Sequence, residues 1–112
     1  MPDAIQWKRR LAPEEMDRIL DALTRKLRGR VDEAWVFGSF ATGTAVEASD
    51  CDLVLVADPD LPFWERPRTF DDLYDVVSRL DLLVYAPEEF AALLEAPSSF
   101  WRSFRETRRR LV

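Results

Sequence analysis

Histidine is absent from this chain of 112 residues and cysteine occurs once. Without histidine, Ser-His-Asp and Cys-His catalysis are impossible and imidazole-based zinc sites are excluded, which leaves carboxylates for acid–base and metal work. The lone thiol, Cys51, rules out a disulfide within one chain and fits a reducing compartment. No uncharged apolar run approaches the roughly 18 residues that suggest a membrane span. The opening MPDAIQWKRR lacks the apolar core of a secretion signal, so a cytoplasmic protein is expected, with no membrane partner. Positive charge is also short. A net charge of −5 argues against a general nucleic-acid binder, whose affinity would come from neutralising phosphates.

What is present suits a globular protein, with 47% hydrophobic and 33% charged residues. The length fits one domain, residues 1–112, that buries roughly two-thirds of the surface its unfolded chain would expose. Residues 13–28 predict an amphipathic helix: Pro13 starts it, Glu14 and Glu15 suit its positive end, and Met16, Ile19, Leu20, Leu23 and Leu27 form one stripe. Strands are expected over Val31–Phe37, Asp50–Ala57 and Asp81–Tyr85. DPDLPFWERPRT, from Asp58 to Thr69, reads as a loop broken by three prolines, in which Phe63 and Trp64 either pack locally or offer a patch to a base or partner. Thr69 is expected to cap a second helix, with Asp72 as its capping-box partner and Leu73, Val76, Val77 and Leu80 as its core face. Helices then follow from Pro87 to Glu95 and from Ser98 to Val112. The aromatic side of the last, Phe100, Trp101 and Phe104, either docks on the core or forms an interface, a second copy being one possible partner. The expected class is α/β (α+β), a small mixed sheet packed with helices.

The chain is organised around WVFGSFATGTAVEASDCDLVLV, Trp35 to Val56. Aspartates two apart at a strand start point the same way, so Asp50 and Asp52 share a side. Hard cations such as Mg²⁺ take carboxylate oxygens together with substrate phosphates. Asp81 stands at the start of another apolar run, and three carboxylates at two strand ends can hold two metal ions for an in-line displacement. Gly38 lets a phosphate approach the backbone and Ser39 can donate a hydroxyl to it. Taken alone, Gly-Ser is a turn and Asp-x-Asp a common turn former before a strand; their conjunction with Asp81 is what points to chemistry. Gly38 to Thr44 has the spacing of a P-loop but lacks its lysine, and an EF-hand fails because Val54 occupies the third ligand position.

An apolar strand, Gly38-Ser39, about ten residues, Asp50-x-Asp52 and a later strand Asp81 resemble the DNA polymerase β-like nucleotidyltransferase superfamily, in particular its small stand-alone members, the minimal nucleotidyltransferases. The resemblance covers nearly the whole chain. It implies that Asp50, Asp52 and Asp81 are catalytic and metal-binding, that Gly38 and Ser39 bind nucleotide, and that AMP passes from ATP, with Mg²⁺, to a hydroxyl. Because the chain is too short to carry an acceptor-binding domain, the resemblance implies an acceptor on another protein, a HEPN-domain toxin for which this chain is the antitoxin. Two alternatives stay open: a non-catalytic module of the same fold that masks its partner, and a transferase acting on a small hydroxylated molecule. One departure stands out. Thr42 occupies a position where many members of the superfamily have arginine, and a hydroxyl cannot neutralise phosphate charge.

Overall fold

The first apolar stripe forms helix α1, Pro13–Leu27, in a computed structural model that describes residues 9–112. The first eight residues, which carry most of the segment read for a secretion signal, lie outside that range. Proline at the first helical position loses no needed amide, and Glu15 accepts the Ala12 N–H at 3.4 Å while also pairing with Arg9. Met16, Leu20, Leu23 and Leu27 are buried along one face, each contributing roughly 1.5–3 kcal/mol of apolar burial.

Four strands follow: β1 (Glu33–Phe37), β2 (Cys51–Val56), β3 (Leu80–Tyr85) and β4 (Arg109–Arg110), in the order β3-β2-β1-β4. Strand β1 is antiparallel to β2 and β4, and β2 is parallel to β3. Because alternate residues face opposite sides, the apolar run of β2 fills two cores at once. Leu53 and Leu55 join Ala34, Val36, Leu82 and Val84 beneath α1. Val54 and Val56 join Phe37 on the other side, beneath Phe90 of α3 (Pro87–Leu93) and Trp101 and Phe104 of α4 (Ser99–Thr107).

Three expected helices differ in form or extent. The segment expected to be a loop and then a Thr69-capped helix is one kinked 3-10 segment, Phe63–Asp75, which contains Pro67. Asp72 is not a capping partner there: Arg30 holds its carboxylate at 2.8 and 3.0 Å and takes the Thr69 carbonyl as well. Phe70 and Leu73 still reach the core, whereas Val76 and Val77 pack from beyond the helical end and Leu80 belongs to β3. Arg66 fastens this segment to α3 through Glu89 at 2.6 Å and to β3 through the Val84 carbonyl at 3.3 Å. The final helix starts under a Ser98 cap and stops at Thr107, after which the chain turns into edge strand β4 instead of continuing helically to Val112. The helix begun at Pro87 likewise ends at Leu93, short of Glu95.

Candidate active site

Strand β1 delivers the chain to Gly38, the residue after Phe37, whose ladder partner is Asp52. Gly38 adopts φ +70° and ψ −147°, a region that side chains disfavour, and a Cβ built there would lie 3.0 Å from Asp52 Oδ2. The turn therefore admits only glycine for two reasons, backbone conformation and the nearness of a carboxylate. Helix α2, Ser39–Thr42, follows, with the Gly38 carbonyl accepting the amides of Ala41 and Thr42 at 3.0 and 3.1 Å.

The Gly38 amide has a partner within the chain. It donates to Thr107 Oγ1 at 3.0 Å, and that hydroxyl in turn donates to the Ser103 carbonyl at 2.9 Å. Within this turn, the amides without an acceptor among the described residues are those of Ser39 and Phe40. Thr107 was missed from the sequence because nothing local marks it; it is 69 residues away and its role arises only when α4 docks.

Strands β2 and β3 run in the same direction with Asp52 opposite Asp81, so both carboxylates leave the sheet on one side at one end. Asp52 is partly buried, and that burial, with Asp81 and Asp50 adding like charge, pushes its carboxyl up to about 6. Asp81 is exposed. Asp50 is also exposed and its Oδ1 lies 3.4 Å from Arg79 Nε. Among the described residues no three carboxylate or thiol groups close into a ready-made cation cage. The chemistry of the donor set still fits a hard divalent cation: three oxygen ligands of like charge, one of them resisting ionisation beside the other two.

Between the two aspartates, Cys51 points to the opposite face and is fully buried, which together with the Asp52 charge pushes its thiol up to about 12. Phe37, the ladder partner of Asp52, packs edge-on against Phe104 and against Phe100, which is 42% exposed. On the other flank of α2, a cavity of about 250 Å³ is lined by Pro13, Met16 and Asp17 of α1, by Phe40 to Gly43, and by Arg109.

Residues 16–110 match the family model described as nucleotidyltransferase domain. The chain belongs to that family. This nucleotidyltransferase domain is 38% identical over 66 residues to a protein of Methanocaldococcus jannaschii named "Putative protein adenylyltransferase MJ0604". That match takes in 59% of the chain and 56% of the relative, so the chain spans little more than half the relative's length. Among solved structures, the toxin–antitoxin MntA-HpeT, in a mutant form, superposes with a TM-score of 0.51 at 18% identity, over 91% of this chain and 72% of that one, a likeness of fold. A toxin–antitoxin solved with AMP-PNP gives 0.49 at 21% identity, over 91% of this chain and 73% of that one. The expected family and fold class, a mixed α/β sheet packed with helices, are thus found. Among the described residues no helix is long and apolar enough to cross a membrane.

Proposed function

We propose that the chain transfers a nucleoside monophosphate, AMP from ATP, to a hydroxyl on a partner protein, as the antitoxin of a pair with a HEPN-domain toxin. The observation that carries the transfer reading is the Asp52–Asp81 register pair beside a glycine whose missing Cβ leaves room next to Asp52. Membership of the family supports nucleotidyl transfer, and the relative's printed name supports a protein acceptor.

Asp50, Asp52 and Asp81 would hold Mg²⁺, which when bound neutralises the polyphosphate and supports the leaving group. Ser39, with its own amide and that of Phe40, receives phosphate oxygens at the turn. Asp81, exposed and, unlike Asp50, without a cationic partner among the described residues, takes the proton of the acceptor hydroxyl. The hydroxyl oxygen forms its bond to the α-phosphorus as the bond from that phosphorus to the bridging oxygen breaks. Pyrophosphate leaves with the electron pair, and the proton passes from Asp81 to solvent. Thr107 keeps the Gly38 turn in place throughout.

A second reading, a masking module without turnover, is favoured by the Asp50–Arg79 contact and by the lack of a closed three-ligand cage among the described residues. Incubation of the purified chain with Mg²⁺, ATP labelled at the α-phosphate and its co-purified partner separates the two. Label on the partner, lost with Asp52→Asn or Asp81→Asn, supports transfer. A stable complex that never acquires label supports masking and sinks transfer.

A further inference from the structure

A nucleoside triphosphate brings several negative charges to a chain whose own net charge is −5. At the Gly38 turn, Ser39 and Thr42 offer hydroxyls and no positive charge. Among the described residues one cationic side chain lies against the acids of the site: Arg79, whose Nε is 3.4 Å from Asp50 Oδ1. Both side chains of that contact are open to water, 50% and 58% exposed, and an ion pair so exposed adds little to stability. Other arginines of the molecule are committed to their carboxylates through hydrogen bonds, Arg9 to Glu47 at 2.6 Å, Arg30 to Asp72 at 2.8 Å and Arg66 to Glu89 at 2.6 Å. The Arg79 guanidinium makes no such bond among the described residues, so its donors stay available beside the acids.

The backbone at Arg79 is fixed where its side chain is not. Its carbonyl accepts the Cys51 amide at 2.8 Å, which carries the β2–β3 pairing one residue back from Leu80, and the Tyr74 hydroxyl donates to the Leu80 carbonyl at 3.1 Å. That pairing sets the order of groups across the strand ends. The Gly38 turn closes β1, Asp50 and Asp52 stand at the start of β2, and Arg79 and Asp81 stand at the start of β3, with β2 between the other two strands. Arg79 is therefore on the far side of the Asp50 and Asp52 pair from the turn. The proposed reaction divides the triphosphate in the same order: the phosphates that leave as pyrophosphate are received at the turn, and the α-phosphorus stands beside Asp81, which takes the proton of the attacking hydroxyl. A guanidinium in contact with Asp50 and two residues from Asp81 is placed for the α-phosphate rather than for the tail. Its planar fork of N–H donors suits two phosphate oxygens at once.

We infer that Arg79 is a catalytic residue of the transfer, holding the non-bridging oxygens of the α-phosphate while the acceptor hydroxyl attacks. The inference rests on the transferase reading above and adds to it the side chain that balances charge at the reacting phosphorus. The test is calorimetric titration of ATP, AMP and pyrophosphate into wild-type chain and into Arg79→Ala, Arg79→Lys and, as a surface control, Arg102→Ala, with circular dichroism to verify folding. Mg²⁺ is raised until the wild-type affinities no longer change, so that an altered grip on the metal cannot imitate a lost phosphate contact. Losing one charge-assisted contact should weaken ATP and AMP alike by roughly ten- to a hundredfold and leave pyrophosphate unchanged. Lysine should recover part of the loss, and Arg102→Ala should behave as wild type. The assignment is overturned by unchanged ATP and AMP affinity in folded Arg79→Ala, by equal weakening of pyrophosphate or in Arg102→Ala, or by a loss that further Mg²⁺ abolishes; each leaves the transferase reading standing. A wild-type chain that binds none of the three sinks both.

Discussion

At position 52, one carboxylate meets two opposed requirements: holding a cation would need it ionised, and its partial burial, with the charges of Asp81 and Asp50 added, resists ionisation. Its folded carboxyl titrates at about 6, against 3.8 for the unperturbed group, so ionisation opposes folding. In metal-free buffer, the contribution of this one group to stability should therefore be greatest below pH 3.8, decline as pH rises through about 6, and level off above it, while Glu15, Asp72 and Glu89, held low by arginine partners, contribute in the opposite direction. Asp52→Asn should remove that decline: thermal melts across pH should show the variant gaining on wild type toward neutral pH, with no gain in acid. The same variant should lose roughly a thousandfold in transfer rate, a loss of function without loss of fold. Gly38 makes the complementary case. Gly38→Ala must place a Cβ 3.0 Å from Asp52 Oδ2 at φ +70°, and should cost about 1–2 kcal/mol in chemical denaturation.

Among the elements, α4 does more than cover the sheet. Its last residue, Thr107, ties the Gly38 turn, so helix docking and turn geometry are joined through one hydroxyl. Thr107→Val keeps the shape and leaves the Gly38 amide without its acceptor, at a cost of about 1–3 kcal/mol. It should raise the KM for ATP more than it lowers kcat, and Thr107→Ser should restore both; a uniform fall in kcat alone would count against the turn-holding role. The strands and α1 could be read in advance because their burial patterns are local and regular: Leu53 and Leu55 against Val54 and Val56, or the Met16-to-Leu27 stripe. The Asp50, Asp52 and Asp81 positions were legible for the same reason, each lying at the edge of an apolar run. The 3-10 segment was not, since Pro67 argues for a loop and the ties that organise it, Arg66 to Glu89 and Arg30 to Asp72, span 23 and 42 residues. Nor was β4, where two arginines look like a charged helix end until β1 offers them a ladder.

For the molecule as a whole, the core and the chemistry share β2 but occupy different parts of it. Folding is supplied by apolar burial on both faces, so removing divalent metal with EDTA should abolish transfer while leaving far-ultraviolet circular dichroism and the melting temperature nearly unchanged. A fall of more than a few degrees on chelation would show that the cation is structural as well. Cys51, fully buried and poorly ionised between the two acids, gives the chain an internal reporter. A thiol reagent can reach it only when the packing over its face of β2 opens, so its labelling rate clocks the opening of the core behind the strand that bears Asp52. Mass spectrometry after timed alkylation would then measure, without any added dye or tag, how often this part of the core opens and how strongly an added nucleotide keeps it shut.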